Sequence, residues 1–347
     1  MVGDKNSILS GEEILKIKHP EILFKEPDQI DQIFIKLAHR WHPDKCKEKN
    51  AGEVFKHINK LRKLAKEKVK ENIWDYPNLL ILKIKGKIIR FKYLTQHEIN
   101  VGKMYVGNSL VMFVIDQDKK DLYLNGFKNI NKFKFYSEDM KNEMIKYLPQ
   151  IEKSFSTDDN KYVLILKKTP DVFVLKDILN YFKGKIDPVH VAWILNSLYN
   201  IACYLNYAKL VHNDFSQTSI FLSPKYHSGL LLGGWWFSSD IGSKIELIPK
   251  RTKELLPTRI IKEKTYDSII DLELIKQIGR ELLGDPTGIK LRTMKIPLPI
   301  CEYLLMPSTS NPVDEYKNWG EILTEVFGKR KFVKMDIEKK DLYERVE

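Results

Sequence analysis

An α+β fold is predicted for this chain, and three features of the sequence predict it. Residues up to about Asn72 carry only helical apolar spacing. Short strand-like apolar runs follow between Leu80 and Leu166, and helical spacing returns after Pro170. Helices and strands are therefore segregated along the chain, which is the mark of α+β rather than of an alternating α/β fold. The predicted order is a helical hairpin, a small sheet with one helix, and a large helical lobe.

The first helix of the hairpin is read from Ile30, Ile33, Phe34, Leu37, Ala38 and Trp41, which share one helical face. Asp28 is placed to cap it. Pro43 ends it, because proline has no amide hydrogen to give and disfavours helical geometry at His42. Val54, Phe55, Ile58, Leu61 and Ala65 mark the second helix, with Lys56, Lys60, Lys63 and Lys70 on its other face. Two such helices joined by a polar loop pack antiparallel. A shorter helical stretch is expected at 14–23, interrupted by Pro20.

Residues 80–91 read as a strand, a turn at Lys85-Gly86 and a second strand. Further strands are expected at 99–106, 110–115 and 162–166, with one helix near 137–152. Ser137 suits the start of that helix, and Glu138 and Asp139 suit the dipole of its first turn. Pro188 opens a long segment with Val191, Ala192, Ile194, Leu195, Leu198, Ile201, Ala202 and Leu205, wide enough in its apolar face to be buried on most sides. Strands at 219–222 and 229–232 and helices near 270–283 and 313–327 complete the chain.

Composition narrows the function classes. At 347 residues and 43% hydrophobic content, the chain supports two or three domains with real cores. Its longest apolar runs fall far short of the roughly 18 residues of a membrane span. Residues 1–12 lack the apolar stretch of a secretory signal. Cys46, Cys203 and Cys301 are odd in number and scattered, so neither a disulfide framework nor a redox pair is read from them. A cytoplasmic protein with no membrane partner is the expectation. The formal charge of +12 favours acidic partners. The lysines are interleaved with glutamates and aspartates, so a solvated surface is expected rather than a nucleic-acid site. The same reading applies to Lys329-Arg330-Lys331.

The loop between the first two helices reads Trp41-His42-Pro43-Asp44-Lys45-Cys46-Lys47. Pro43 stiffens the backbone so that Asp44 is presented as an exposed carboxylate, suited to a charge-assisted bond with an arginine on a partner. His-Pro-Asp by itself is an ordinary turn. His39, His42 and Cys46 have loosely ligand-like spacing, but no fourth ligand is near and no metal is expected. A helix ending in His-Pro-Asp, followed by a helix with Phe55 and Asn59, resembles the J-domain of the DnaJ family over residues 29–70. The resemblance implies that His42, Pro43 and Asp44 stimulate a DnaK-type chaperone ATPase, with Lys36 and Arg40 as helix contacts.

A second segment, from Leu205 through Val211-His212-Asn213-Asp214-Phe215 to Ser219-Ile220-Phe221-Leu222, resembles the catalytic loop of protein kinases. Asp271-Leu272-Glu273-Leu274-Ile275 resembles the aspartate-led central helix of the kinase large lobe. The implied arrangement is a J-domain at 1–72, a small β-rich lobe at 78–168, a large helical lobe at 169–335 and a charged tail at 336–347.

The departures from the kinase pattern decide the functional expectation. Phosphoryl transfer needs a lysine on the nucleotide, metal-holding groups and a base. Asp214 stands at the base position, Ser219 replaces the metal-binding asparagine, and Asn213 replaces the arginine. Gly233-Gly234-Trp235-Trp236 stands where the metal-binding Asp-Phe-Gly is expected, and Phe113 falls near the strand lysine. Gly102 and Gly107 are weak candidates for a nucleotide-covering turn, and Asp240 is the nearest downstream substitute carboxylate. Metal-borne charge stabilisation is worth several kcal/mol. At about 1.36 kcal/mol per tenfold, losing the aspartate alone costs roughly a thousandfold in rate.

The expectation is therefore a non-enzymatic co-chaperone: a J-domain beside a pseudokinase that binds a client or partner protein, with neither ATP nor magnesium as cofactor. Two rivals are an active divergent Ser/Thr kinase targeted by its J-domain, and a nucleic-acid-associated scaffold. Trp235-Trp236 has its own two readings, as core at a strand end, or as filling of the cleft or an anchor for a partner.

Overall fold

The computed structural model describes residues 9–71, 74, 78–329 and 333–343. Chain contacts divide it into two compact units, one of residues 1–81 with 90–92 and one of residues 82–89 with 93–347. The fold is mixed α and β with antiparallel sheets, as the segregation of patterns predicts.

The first unit is helical: α1 (Gly11–Lys16), α2 (Pro20–Phe24), α3 (Ile30–Arg40) and α4 (Ala51–Lys70). Ser10 and Glu13 close a capping box on α1, each satisfying the other's backbone N–H. Pro20 starts α2 at its first position, so the expected break in 14–23 is a boundary between two helices. Asp28 does not cap α3. Pro27 starts a 3-10 turn over Pro27–Gln29, which places Asp28 inside the turn and Gln29 at the cap without a side-chain bond. Trp41 follows the last residue of α3, two positions before Pro43. The two long helices run antiparallel. Asp31 at the start of α3 accepts from Arg62 and Lys66 of α4, while His42 beyond its end lies edge-on to Phe55 near the start of α4. Ile14, Phe24, Ile30, Trp41, Val54, Ile58 and Ala65 fill the core between these helices.

A separate two-stranded sheet follows, β1 (Leu79–Ile84) and β2 (Lys87–Lys92). Lys85 and Gly86 both have positive φ, the conformation a two-residue hairpin turn requires. The Asp158 carboxylate accepts from both of their N–H groups.

The second unit contains a five-stranded antiparallel sheet. Its strands are β3 (Thr95–Ile99), β4 (Gly102–Val106), β5 (Leu110–Ile115), β6 (Ile151–Ser156) and β7 (Tyr162–Lys167), in the order β3-β4-β5-β7-β6. Of the single strand expected at 99–106, residues 102–106 form β4, while Ile99 ends β3, a strand that was not expected, and Asn100-Val101 make the turn between them. Gly102 and Gly107 fall at the two ends of β4 and cannot build one turn between them. At Gly102 a Cβ would lie 2.2 Å from the Val114 carbonyl oxygen, so the close approach of β4 to β5 admits only glycine there.

Two helices accompany this sheet, where one was expected: α5 (Lys120–Ile130) and α6 (Glu138–Met144). Ser137 does cap α6, accepting from Met140 N–H, but a 3-10 turn and β6 take up the residues that the reading of 137–152 gave to helix. Next come β8 (Phe173–Val174), α7 (Leu175–Tyr181) and α8 (Pro188–Tyr207), which starts at Pro188 as expected. Then follow β9 (Leu210–Val211), β10 (Ile220–Ser223), β11 (Ser228–Leu231) and β12 (Ser239–Asp240). Small sheets join β8, β10 and β11, and β9 with β12.

Helices α9 (Lys250–Glu254), α10 (Thr258–Glu263), α11 (Ile269–Leu282), α12 (Leu298–Leu305) and α13 (Pro312–Phe327) complete the helical part. Lys276 of α11 and Glu315 of α13 form a fully buried ion pair at 2.9 Å. The last described segment is not simply a charged tail. Met335 and Ile337 are buried, and Tyr343 of α14 (Lys339–Tyr343) donates to Asp177. Of the basic triplet near the end, only Lys329 lies within the described residues.

Candidate functional sites

Two constellations hold the residues singled out from sequence, one in each unit. In the first, Pro43 and Asp44 sit in the loop after α3. The Asp44 side chain is 85% exposed. The loop is closed by backbone bonds from Lys45 and Cys46 N–H to the His42 carbonyl, each 2.9 Å. His42 packs edge-on against Phe55 at 5.4 Å, and its Nδ1 accepts from Asp44 N–H at 3.3 Å. The imidazole thus braces the turn while the carboxylate points to solvent. Lys36 and Arg40 are exposed on α3, and the Arg40 guanidinium lies 5.2 Å from the centre of the Trp41 ring. His39 contacts Lys45 Nζ at 3.1 Å. The spacing of His39, His42 and Cys46 does not become a ligand set: among the described residues no group of three or more His, Cys, Asp or Glu is arranged to hold a metal.

In the second unit, β9 leads into His212-Asn213-Asp214, all three buried. Asp271, near the start of α11, holds this loop. Its two carboxylate oxygens accept from the N–H groups of His212 and Asn213, each at 2.8 Å. Burial raises the Asp271 carboxyl, and these two donors pull it back. His212 Nε2 contacts the Gly233 carbonyl at 2.9 Å, and burial pushes the imidazole down to about 3. The ring is therefore neutral and donates its Nε2 proton to that carbonyl. Asn213 has a φ of 66° and donates to the Phe237 carbonyl at 2.8 Å. The Ser219 hydroxyl donates to the Asp214 carbonyl at 2.5 Å and accepts from Ser216 N–H at 2.8 Å. Ser219 thus serves the loop's own backbone.

Asp214 faces a closed environment. A Cβ on Gly234 would lie 2.8 Å from its Oδ2 and 2.7 Å from the His212 ring, and Gly234 has a φ of 79°. Burial raises the Asp214 carboxyl to about 7 against the opposing pull of Arg251 and Ser216. Arg251 itself donates to the Phe215 carbonyl and pairs with Glu281 at 2.8 Å. A side chain at Gly233 would also meet backbone, with the Ser219 Cα only 2.9 Å from its Cβ. The bend after β11 is thus packed for glycine at both positions and has no room for a carboxylate.

Trp235, Trp236 and Phe237 form one turn of 3-10 helix and are all buried. The Trp236 ring meets Phe113 of β5 edge-on at 5.3 Å, and Gly126 of α5 is so close to it that a Cβ there would fall 2.7 Å from the ring. Asn125 and Asn129 of the same helix donate to the carbonyls of Trp236 and Ser238. Trp235 packs on Phe133 and His212 at 4.9 and 4.8 Å. The tryptophan pair is therefore core, packed between β5, α5 and the His212 loop. Asp240 lies outside it, 65% exposed and 3.9 Å from Lys132.

Sequence reading missed α5 and with it Asn125, Gly126 and Asn129. The signal was present in Leu122, Tyr123, Gly126, Phe127 and Ile130, which repeat at helical spacing. No protein-family model matches this chain, and no curated protein does.

Proposed function

We propose that this protein is a J-domain co-chaperone. Its His42-Pro43-Asp44 loop recruits and stimulates a DnaK-type ATPase, with Lys36 and Arg40 as helix contacts. Its second unit is a bilobal kinase-like body, a small β-rich lobe and a large helical lobe, that binds a client protein and does not transfer phosphate. The observation that carries the reading is the display of Asp44: a carboxylate 85% exposed, on a loop braced by His42 against Phe55, in the connection between the two helices of an antiparallel hairpin. Such an exposed carboxylate suits a charge-assisted bond to an arginine on a partner.

The kinase-like assignment is supported by Asp271, a helix-borne aspartate that binds the backbone of the His212 loop through both oxygens. The inactive assignment is supported by what surrounds that loop. Phosphoryl transfer requires a lysine and metal-bound carboxylates around the nucleotide. Here Phe113 and Trp236 put two aromatic rings in contact instead, and glycine packing excludes a carboxylate at 233. Among the described residues, no helix is long and apolar enough to cross a membrane.

A purified-component assay tests the proposal. The full chain should accelerate ATP turnover by a DnaK-type ATPase, and Asp44→Asn should remove most of that acceleration without changing the melting of the helical unit. Equal effects of wild type and Asp44→Asn would end the proposal.

A further inference from the structure

The segment between β12 and α11 carries an apolar groove that neither the loop at Asp44 nor the His212 constellation uses. Its volume is about 440 Å³, and its lining includes Leu247, Leu256, Ile260 and Ile261 with Lys253 and Lys264 at the rim. Leu247 and Ile261 are 51% and 55% exposed on a pinned backbone. The pinning is specific. The Tyr266 hydroxyl donates to the Leu247 carbonyl at 2.8 Å and accepts from its N–H at 3.3 Å. Ile245 N–H donates to the Lys264 carbonyl at 2.9 Å, and Gly242 N–H to that of Tyr266 at 2.8 Å. A groove held this way needs little ordering on binding, so contact made in it is retained as affinity.

Charge identifies the occupant. Between residues 244 and 264, Lys250 pairs with Glu254, Arg251 with Glu281, and Arg259 with Glu263 and Asp267. Among the described residues Lys244, Lys253, Lys262 and Lys264 form no ion pair; Lys253 and Lys264 line the groove itself, against the one unpaired carboxylate that lines it, Glu246. An aliphatic floor with an excess of unneutralised ammonium groups is complementary to a segment that alternates apolar and acidic side chains.

We propose that this groove is the client-docking surface and that it takes an extended acidic–apolar peptide segment of a partner protein. The inference rests on the co-chaperone reading, in which the second unit selects the client. The apolar side chains of the segment fill the space over Leu256 and Ile260, and its carboxylates pair with Lys253 and Lys264.

The test is to pan a random-peptide display library on the purified full chain and to measure the enriched peptides by fluorescence anisotropy. Two variants serve as controls, Leu247→Ser with Ile261→Ser, and Lys253→Glu with Lys264→Glu. All four positions are exposed, so both variants should fold and should stimulate the chaperone ATPase as wild type does. The expected result is enrichment of peptides combining Leu, Ile or Phe with Asp or Glu, each losing about tenfold or more in affinity for either variant. Enrichment of basic peptides, equal binding to the variants, or no enrichment would overturn the inference. So would a dimer that the Leu247→Ser, Ile261→Ser variant dissolves, which would make the occupant a second copy. Binding of short RNA that needs the lysines but not the aliphatic pair would also overturn it. Asp44-dependent ATPase stimulation is read in the same preparations: if it persists while panning fails, the groove assignment falls and the co-chaperone reading stands.

Discussion

At the scale of single residues, the buried aspartates of the second unit give the sharpest physical prediction. Asp214 has a carboxyl raised to about 7 by burial, against an ordinary value of about 3.9 in an unfolded chain. The folded state therefore holds this proton more tightly than the unfolded state does. The stabilisation from that proton is full below about pH 4 and is lost as pH rises to about 7. Asp214→Asn cannot ionise and should escape the loss. Its melting temperature should rise relative to wild type as pH goes from 5 to about 7.5, whereas parallel profiles would show that Asp214 is not held neutral in the fold. Part of this site was legible in the sequence: the glycine pair Gly233-Gly234 and the aromatic at Phe113 were both singled out. The reason for the glycines was not. It lies in the approach of Ser219 and Asp214 to positions 233 and 234, which depends on chain segments remote in sequence. Ser219 was singled out as standing at a metal-ligand position; in the fold its hydroxyl donates to the Asp214 carbonyl and accepts from Ser216 N–H.

At the scale of elements, the long helices were read well because each carries a strong apolar face. Helices α4, α8, α11 and α13 begin and end within a few residues of the predicted limits. The sheet was read less well. Strand β6 is an edge strand with mostly exposed side chains, so the alternation that marks a half-buried strand is faint. The turn between β3 and β4 contains Asn100 and Val101, and the glycine that might announce it lies one position later, inside β4. The contact of α11 with α13 could not be read at all, because Lys276 and Glu315 each look like surface residues. In the fold both are 2% exposed, and Lys276 also donates to the Met306 carbonyl. Breaking one partner of such a pair leaves a buried charge uncompensated. Lys276→Met should cost about 3–5 kcal/mol, measured by denaturant unfolding, and adding Glu315→Leu should recover most of it. A single-variant cost below about 1 kcal/mol would mean that the pair is hydrated in solution.

At the scale of the whole molecule, a helical unit with an exposed carboxylate, Asp44, on its loop and an α+β unit with a closed, aromatic-filled interior divide the work in the proposed account. The first acts on a chaperone ATPase, and the second contributes binding surface. The division predicts opposite results for the two known uses of ATP by such modules. The most direct test follows the terminal phosphate of γ-labelled ATP in the presence of magnesium, with the full chain alone and with a DnaK-type ATPase added. The account predicts no label transferred to protein by the chain alone, and phosphate released faster from the DnaK-type ATPase when the chain is present, with the acceleration lost in Asp44→Asn. Label transferred to protein by the chain alone, and abolished by Asp214→Ala, would contradict it.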